Sequence, residues 1–195
     1  MSKKAEKYNR ILSAAIEIIS EKGIDKTSIS DIVRASGVAQ GTFYLYFSSK
    51  SALIPAIAEE LLDHTLQSIQ EKVDKQNTTI KEVIEIMIRE HFELTKKNQR
   101  VITLCYAGLA FEYSFERWEE IYTPYYQWFE SKLQIAKDHN EVRKSLPLKS
   151  TVKMITGVIE DAAERYYLAY DQSETLEEQK QELATFIFSA IGIDS

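Results

Sequence analysis

At 195 residues with one cysteine, six glycines and three prolines, the chain has enough apolar sequence for a packed core and no means of building an internal disulfide framework. So few turn formers, without alternating β-branched runs between them, favour an all-α protein over a sheet protein. The formal net charge of −6 is uneven: residues 1–51 hold eight Lys or Arg against five Asp or Glu, and the remainder holds sixteen against twenty-five.

The basic part is therefore the small front end. Ion pairing is screened over about 8 Å at physiological salt, so an acidic protein can still present a phosphate-binding face. The amino terminus MSKKAEKYNR is not followed by a cleavable apolar region, and the longest apolar run, residues 101–111, is too short to cross a bilayer. A cytoplasmic protein without membrane contact is expected.

From Lys3 to about Lys22, Tyr8, Ile11, Leu12, Ala15, Ile18 and Ile19 recur every three or four residues, the pattern of an amphipathic helix that Gly23 ends. Lys3, Lys4, Lys7 and Arg10 crowd its amino end, against the helix dipole; phosphate contact and simple solvation both fit. Ser28 is placed to cap a short helix carrying Ile29, Ile32 and Val33, and Gly37 to end it in a left-handed turn. Residues Ala39 to Phe47 then resume as helix, with Phe43 and Phe47 on one face as core and Gln40, Thr42, Tyr44 and Tyr46 elsewhere on its surface. Two short helices around a glycine-containing turn fit a helix-turn-helix.

Ser49 is expected to cap a long helix reaching about Lys72, with Leu53, Ile57, Leu61, Leu62, Leu66 and Ile69 along it and a distortion at Pro55, just past its first turn. DKQNT, residues 74–78, is the clearest polar break. Thr79 with Glu82 forms a capping-box pattern for the next helix, which breaks over Lys97–Gln99 and resumes from Val101. An aromatic-rich stretch follows, bent or divided by Pro124; residues 139–149 form the longest loop; Ser150–Tyr170 and Leu176–Ile191 close the chain as two helices. Cys105, among apolar neighbours, reads as a core thiol.

The residues Ile11 to Ala15, Gly23, Thr27 to Ile32, Ala35 to Val38 and above all GTFYLYFSSKSAL from Gly41 to Leu53 resemble the TetR family of bacterial transcriptional regulators. The resemblance covers about a quarter of the chain. It implies an all-α architecture of about nine helices: an N-terminal helix-turn-helix DNA-binding domain, assigned to residues 1–50, and a helical effector-binding and dimerisation domain, assigned to residues 51–195. It further implies a homodimer formed through the last two helices and a repressor released from its operator by a small hydrophobic or aromatic effector.

Carried onto this sequence, the resemblance assigns Gln40, Gly41, Thr42, Tyr44 and Leu45 to the DNA-facing helix, and Thr27, Ser28, Tyr46 and Lys50 to backbone phosphates. The residue types suit those tasks. Gln40 can pair with adenine and Leu45 can touch a thymine methyl, while hydroxyls and an ammonium fix register on phosphates. A helix-turn-helix dimer spaces its two reading helices by about 34 Å, so the pairing surface must be rigid; Ile155, Gly157, Val158, Ala162, Phe186, Phe188 and Ile191 are its candidates or else ordinary core.

For the effector, the concentration of Tyr106, Phe111, Tyr113, Trp118, Tyr122, Tyr125, Tyr126, Trp128 and Phe129 is the strongest signal, with Glu112, Glu160, Asp161, Arg165 and Tyr166 as polar handles. Two ligand classes fit: a lipophilic cation held by aromatic rings and carboxylates, or an organic anion held by Arg165. Asp161 and Arg165, four apart on a helix, equally suit a plain ion pair.

Other classes find less support. None of His64, His91 or His139 has a Glu three residues before it, so the di-iron bundle pattern is missing, and the glycine patterns that cradle phosphates or dinucleotides are absent. Ser150 and Lys153 have a Ser-x-x-Lys spacing without its companion motifs. No catalytic residue, metal site or cofactor is expected. A helical interaction adaptor that kept the scaffold without ligand-controlled DNA binding is the remaining alternative.

Overall fold

The computed structural model describes residues 3–73, 78–111, 115–170 and 173–193, with the backbone alone over 106–111. Among the described residues all regular structure is helical: α1 (Lys3–Lys22), α2 (Ile29–Ser36), α3 (Gln40–Tyr44), α4 (Leu53–Lys72), α5 (Ile80–Phe111), α6 (Phe115–Asp138), α7 (Leu148–Leu168) and α8 (Leu176–Ile191). Asn98, with φ −117° and ψ 26°, breaks α5 into two limbs at the expected position. Counting the limbs separately yields the ninth helix.

The chain divides into two compact units, Met1–Leu61 with Asn98–Ile121, and Leu62–Lys97 with Tyr122–Ser195. In the first, α1 buries Ile11, Leu12, Ala15 and Ile19 and stops where the Gly23 N–H bonds back to the Ile19 carbonyl at 2.8 Å. Arg100 donates to the Ser20 carbonyl at 3.3 Å and to that of Glu21, placing a cation on the last carbonyls of α1, where the helix dipole favours one. Arg117 joins Glu59 at 3.1 Å and Glu120 at 3.0 Å.

The second unit is a bundle in which each helix contributes a three-and-four row: Val83, Ile84, Met87 and Ile88; Tyr125, Phe129, Leu133 and Ala136; Val152, Ile155 and Ile159; Leu183, Ala184, Ile187 and Phe188. Thr79 and Glu82 form the capping box expected at the start of α5. A second box, Thr175 with Glu178, starts α8, which ends at Gly192 with φ +82°, against the Arg143 side chain.

Four expectations need correction. The helix over 39–47 is only five residues long; beyond Tyr44 the chain continues as turns, with the Phe47 N–H on the Phe43 carbonyl at 3.0 Å. Ser49 caps the turn before α4, accepting from the Ala52 N–H at 3.1 Å, and α4 itself begins at Leu53. Pro55 therefore lies in the first turn, where a missing N–H has no helical partner to lose, so no bend is required there. Pro124 does not divide α6 into two pieces; the helix runs on through it. Both Pro124 and Glu120, whose carbonyl loses its helical donor, belong to exposed residues, so water can replace the bond.

Thr175→Ala removes the α8 cap. The expected cost is about 1 kcal/mol, read as a melting temperature lower by about 2–4 °C in a thermal scan, with helical content below the transition unchanged.

Candidate nucleic-acid interface and buried polar cluster

The helix-turn-helix is fixed from within. Ser28 accepts from the Asp31 N–H at 3.1 Å while its own N–H donates to the Asp31 carboxylate at 3.1 Å. Asp31 also holds Lys22 at 2.9 Å and Arg34 at 2.8 Å; the Lys22 bond and those from Ser28 keep its carboxyl well below the usual range. Gly37 takes the left-handed conformation expected, φ +64°. Arg10, an expected phosphate candidate, reaches over this turn to donate to the Ser36 and Gly37 carbonyls, so its charge sits at the carboxyl end of α2, where the dipole favours it.

Phe43 is fully buried and Phe47 nearly so. Their rings lie 5.6 Å apart, and Tyr8 of α1 stacks on Phe47 at 5.3 Å. On the opposite surface Gln40 and Gly41 are exposed, with Tyr44 50 % and Leu45 81 % accessible; Thr42 is half-buried. A methyl group built on Gly41 meets nothing within 4 Å, so nothing inside the protein requires glycine there.

The residues assigned to phosphates are bound internally. Thr27 is buried, its hydroxyl donating to the Gly23 carbonyl at 2.7 Å. Tyr46 donates to the Lys4 carbonyl at 2.9 Å. Lys50 donates to the carbonyls of Ile24 at 2.8 Å and Thr27 at 2.9 Å, fastening the loop between α1 and α2.

The second unit holds a buried polar cluster. His91, on α5, is 2 % exposed and shares a 2.8 Å hydrogen bond through Nε2 with the Tyr125 hydroxyl of α6. The Tyr122 hydroxyl donates to Glu160 Oε1 of α7 at 2.9 Å. That oxygen stands 4.0 Å from His91 Nδ1, beyond hydrogen-bond reach. Burial lowers His91 to about 4 and raises Glu160 to about 8, so the pair is neutral beside neutral rather than an ion pair at neutral pH. Tyr126 stacks on Tyr122 with ring centroids 5.5 Å apart, and Lys153 Nζ lies 5.5 Å from the Tyr126 centroid.

Of the residues assigned to the effector, Tyr122, Tyr125 and Tyr126 belong to this cluster and Phe129 is fully buried on the same helix. Tyr166 stands apart, edge-on to Tyr167 at 5.0 Å with Phe92 at 6.3 Å. Asp161 and Arg165 pair with each other at 2.7 Å with side chains 60 % and 64 % accessible. Trp118 belongs to the first unit, and its buried indole N–H has no partner among the described residues. The side chains of Tyr106 and Phe111 lie outside the described residues. His91 was missed: a lone histidine on an apolar row carries no signal until its partner, 34 residues away, is known. Among the described residues no three His, Cys, Asp or Glu side chains gather to hold a metal, and no helix is long and apolar enough to cross a membrane.

A family model for bacterial regulatory proteins of the tetR family matches residues 11–57, and one for the tetracyclin repressor-like C-terminal domain matches residues 84–191. The chain belongs to the TetR family. The HTH-type transcriptional regulator YvdT of Bacillus subtilis (strain 168) is 50 % identical to this TetR-family chain over 188 residues, 95 % of each. The fatty acid metabolism regulator protein of the same organism is 28 % identical over 163 residues, 83 % of this chain and 84 % of that one. The structure of FadR from Bacillus subtilis in complex with stearoyl-CoA superposes with a TM-score of 0.74 at 25 % identity, over 94 % of this chain and 99 % of that one. FadR from Bacillus halodurans shares the fold, with a TM-score of 0.73 at 21 % identity over 92 % and 97 %. This TetR-family member is a DNA-binding transcriptional regulator, in a family where ligand control is typical.

The cluster makes stability depend on pH in two opposed ways. His91 is depressed in the folded state, so the unfolded chain binds more protons between about 4 and 6.5 and acid destabilises over that window. Glu160 is raised, so the folded chain binds more protons between 4.5 and about 8, and stability falls as pH rises through that window. Glu160→Gln is expected to flatten the decline of melting temperature between pH 6.5 and about 8 and to steepen the acid limb between 4.5 and 6.5, where the two groups otherwise offset each other. Parallel curves for the two proteins would show that the carboxyl is not held in its neutral form.

Proposed function

We propose that the chain is a repressor that reads operator DNA as a homodimer and is released by a small hydrophobic or aromatic effector. The observation that carries the reading is the exposure of Tyr44 and of Leu45, which caps the end of α3, 50 % and 81 % accessible, beside fully buried Phe43. Large apolar groups exposed together on an anchored surface mark a contact face. Here they adjoin exposed Gln40 and Gly41, whose amide and open backbone suit base edges in a major groove. Ser28 and the backbone of the loop that Thr27 and Lys50 hold would meet phosphates, with Tyr46 fixing the end of the reading helix.

We assign residues 1–50 to DNA reading and the remainder to effector binding and pairing. Support for pairing through α7 and α8 comes from Met154, 67 % exposed, and Phe186, 61 % exposed, with exposed Gly157. Ile155, Phe188 and Ile191 are instead buried within the protomer. The effector site we assign to Tyr122, Tyr125, Tyr126 and Phe129 with His91 and Glu160, and Tyr166 at its margin. The stearoyl-CoA complex of FadR supports the idea that a bundle of this shape accepts a long apolar ligand. A coupling of about 1–3 kcal/mol between effector and operator is typical of such control.

Gly41→Ala separates the DNA reading from a structural role. Alanine in a helix is favoured over glycine by about 1 kcal/mol, so the variant is expected to be as stable as the wild type or more so. Retention of the chain's own promoter fragment should nonetheless fall at least about tenfold, because the new methyl group stands in the contact face. Tyr44→Ala should weaken retention likewise. Unchanged, salt-insensitive retention in both variants would leave the adaptor reading in its place.

A further inference from the structure

We propose that the effector is a lipophilic cation, a quaternary ammonium or protonated amine on an aromatic or branched apolar body, with its charge seated against Glu160 among Tyr122, Tyr125 and Tyr126. The inference rests on the effector-site reading above and adds the sign of the ligand's charge.

Among the described residues most carboxylates that make ion pairs do so with lysine or arginine: Asp31 with Lys22 and Arg34, Glu59 and Glu120 with Arg117, Glu90 with Lys72, Asp161 with Arg165, Glu177 with Lys180; Glu141 faces the exposed His139. Glu160 differs. Among the described residues its one hydrogen bond comes from the Tyr122 phenol, and the basic group found beside it is the imidazole of His91 at 4.0 Å, whose other nitrogen is committed to Tyr125. A carboxyl in such surroundings is stable only if a proton or a cation neutralises it, and no lysine or arginine among the described residues forms an ion pair with it. The group is nevertheless reachable, with 23 % of its side chain accessible.

The walls suit the same ligand. Tyr122 and Tyr126 stack, and the face of a phenol ring attracts positive charge. Lys153 already places its ammonium 5.5 Å from the Tyr126 centroid. An organic anion meets the opposite conditions, since Glu164 stands one turn beyond Glu160 on α7 and its charge is felt at that carboxyl.

The test uses the full chain and three probes: benzyltrimethylammonium, its uncharged isostere neopentylbenzene, and decanoate. Binding is measured by calorimetry and by quenching of tryptophan fluorescence, with operator retention followed in parallel. The cation is expected to bind at least about tenfold more tightly than the isostere, and Glu160→Gln to bring the two within about threefold of each other. Thermal melting verifies that the variant is folded; Tyr126→Leu, which leaves the carboxyl in place, should narrow the preference for the cation by about threefold.

Equal binding of cation and isostere, an unchanged preference in Glu160→Gln, or no binding of the cation up to about 1 mM overturns the proposal. Binding of decanoate with release of the operator also overturns it while sustaining the effector reading. A cation that binds through Glu160 yet leaves operator retention unchanged sustains the cation site and refutes the effector reading.

Discussion

A helix of five residues cannot hold itself together in water, because the cost of fixing its first turn is not recovered over so short a run of hydrogen bonds. α3 is such a helix, and the first unit is arranged around that constraint. Burial of Phe43 and Phe47 supplies the apolar anchor, each worth about 1.5–3 kcal/mol when fully removed from water. Gly37 sets the angle at which the chain enters α3. Arg10 and Lys50 then hold the two loops on either side of α2 by their backbone carbonyls. The exposed face proposed to read DNA is free for contact because none of its large exposed side chains forms the anchor that Phe43 and Phe47 supply.

That division has a chemical consequence. Gln40, Gly41, Tyr44 and Leu45 leave their contact groups to solvent, while Thr27, Tyr46 and Lys50 spend theirs on Gly23, Lys4, Ile24 and Thr27. In the proposed complex, groups already bonded inside the protein would position backbone amides rather than bring loose charge to a phosphate. Positioned backbone donors carry no conformational entropy cost on binding, whereas a free lysine side chain must be ordered.

Features that depend on a few neighbouring residues were legible in the sequence. The Ser28 cap, the left-handed turn at Gly37, the Thr79–Glu82 box, the break near Asn98 and the inward faces of Phe43 and Phe47 all follow from local stereochemistry or helical spacing. Proline was misread twice because its effect depends on register. At Pro55 the helix starts two residues earlier, and at Pro124 the orphaned carbonyl belongs to an exposed residue. The cluster was harder still. Glu160 stood out only as one polar group among several, and His91 not at all, since their meaning comes from partners tens of residues away on other helices. Asp161 and Arg165 attracted attention as handles, yet four-residue spacing served them equally well for pairing with each other in solvent.

Glu160 is treated differently from the paired acids of the chain, and that contrast bears on why an acid stands at position 160. Elsewhere among the described residues bridging acids meet a cation within a hydrogen bond, as Asp31 does with Lys22 and Arg34 and Glu90 with Lys72. A structural role for Glu160 would ask for the same, or for a leucine, which packs among aromatic rings without any desolvation cost. Instead the chain keeps a carboxyl whose burial disfavours its charge, and surrounds it with phenols and a neutral imidazole that can donate or accept but cannot compensate that charge. Such an arrangement is poor as architecture and well suited to recognition, because the free energy withheld from the folded protein becomes available to whatever ligand supplies the missing positive charge.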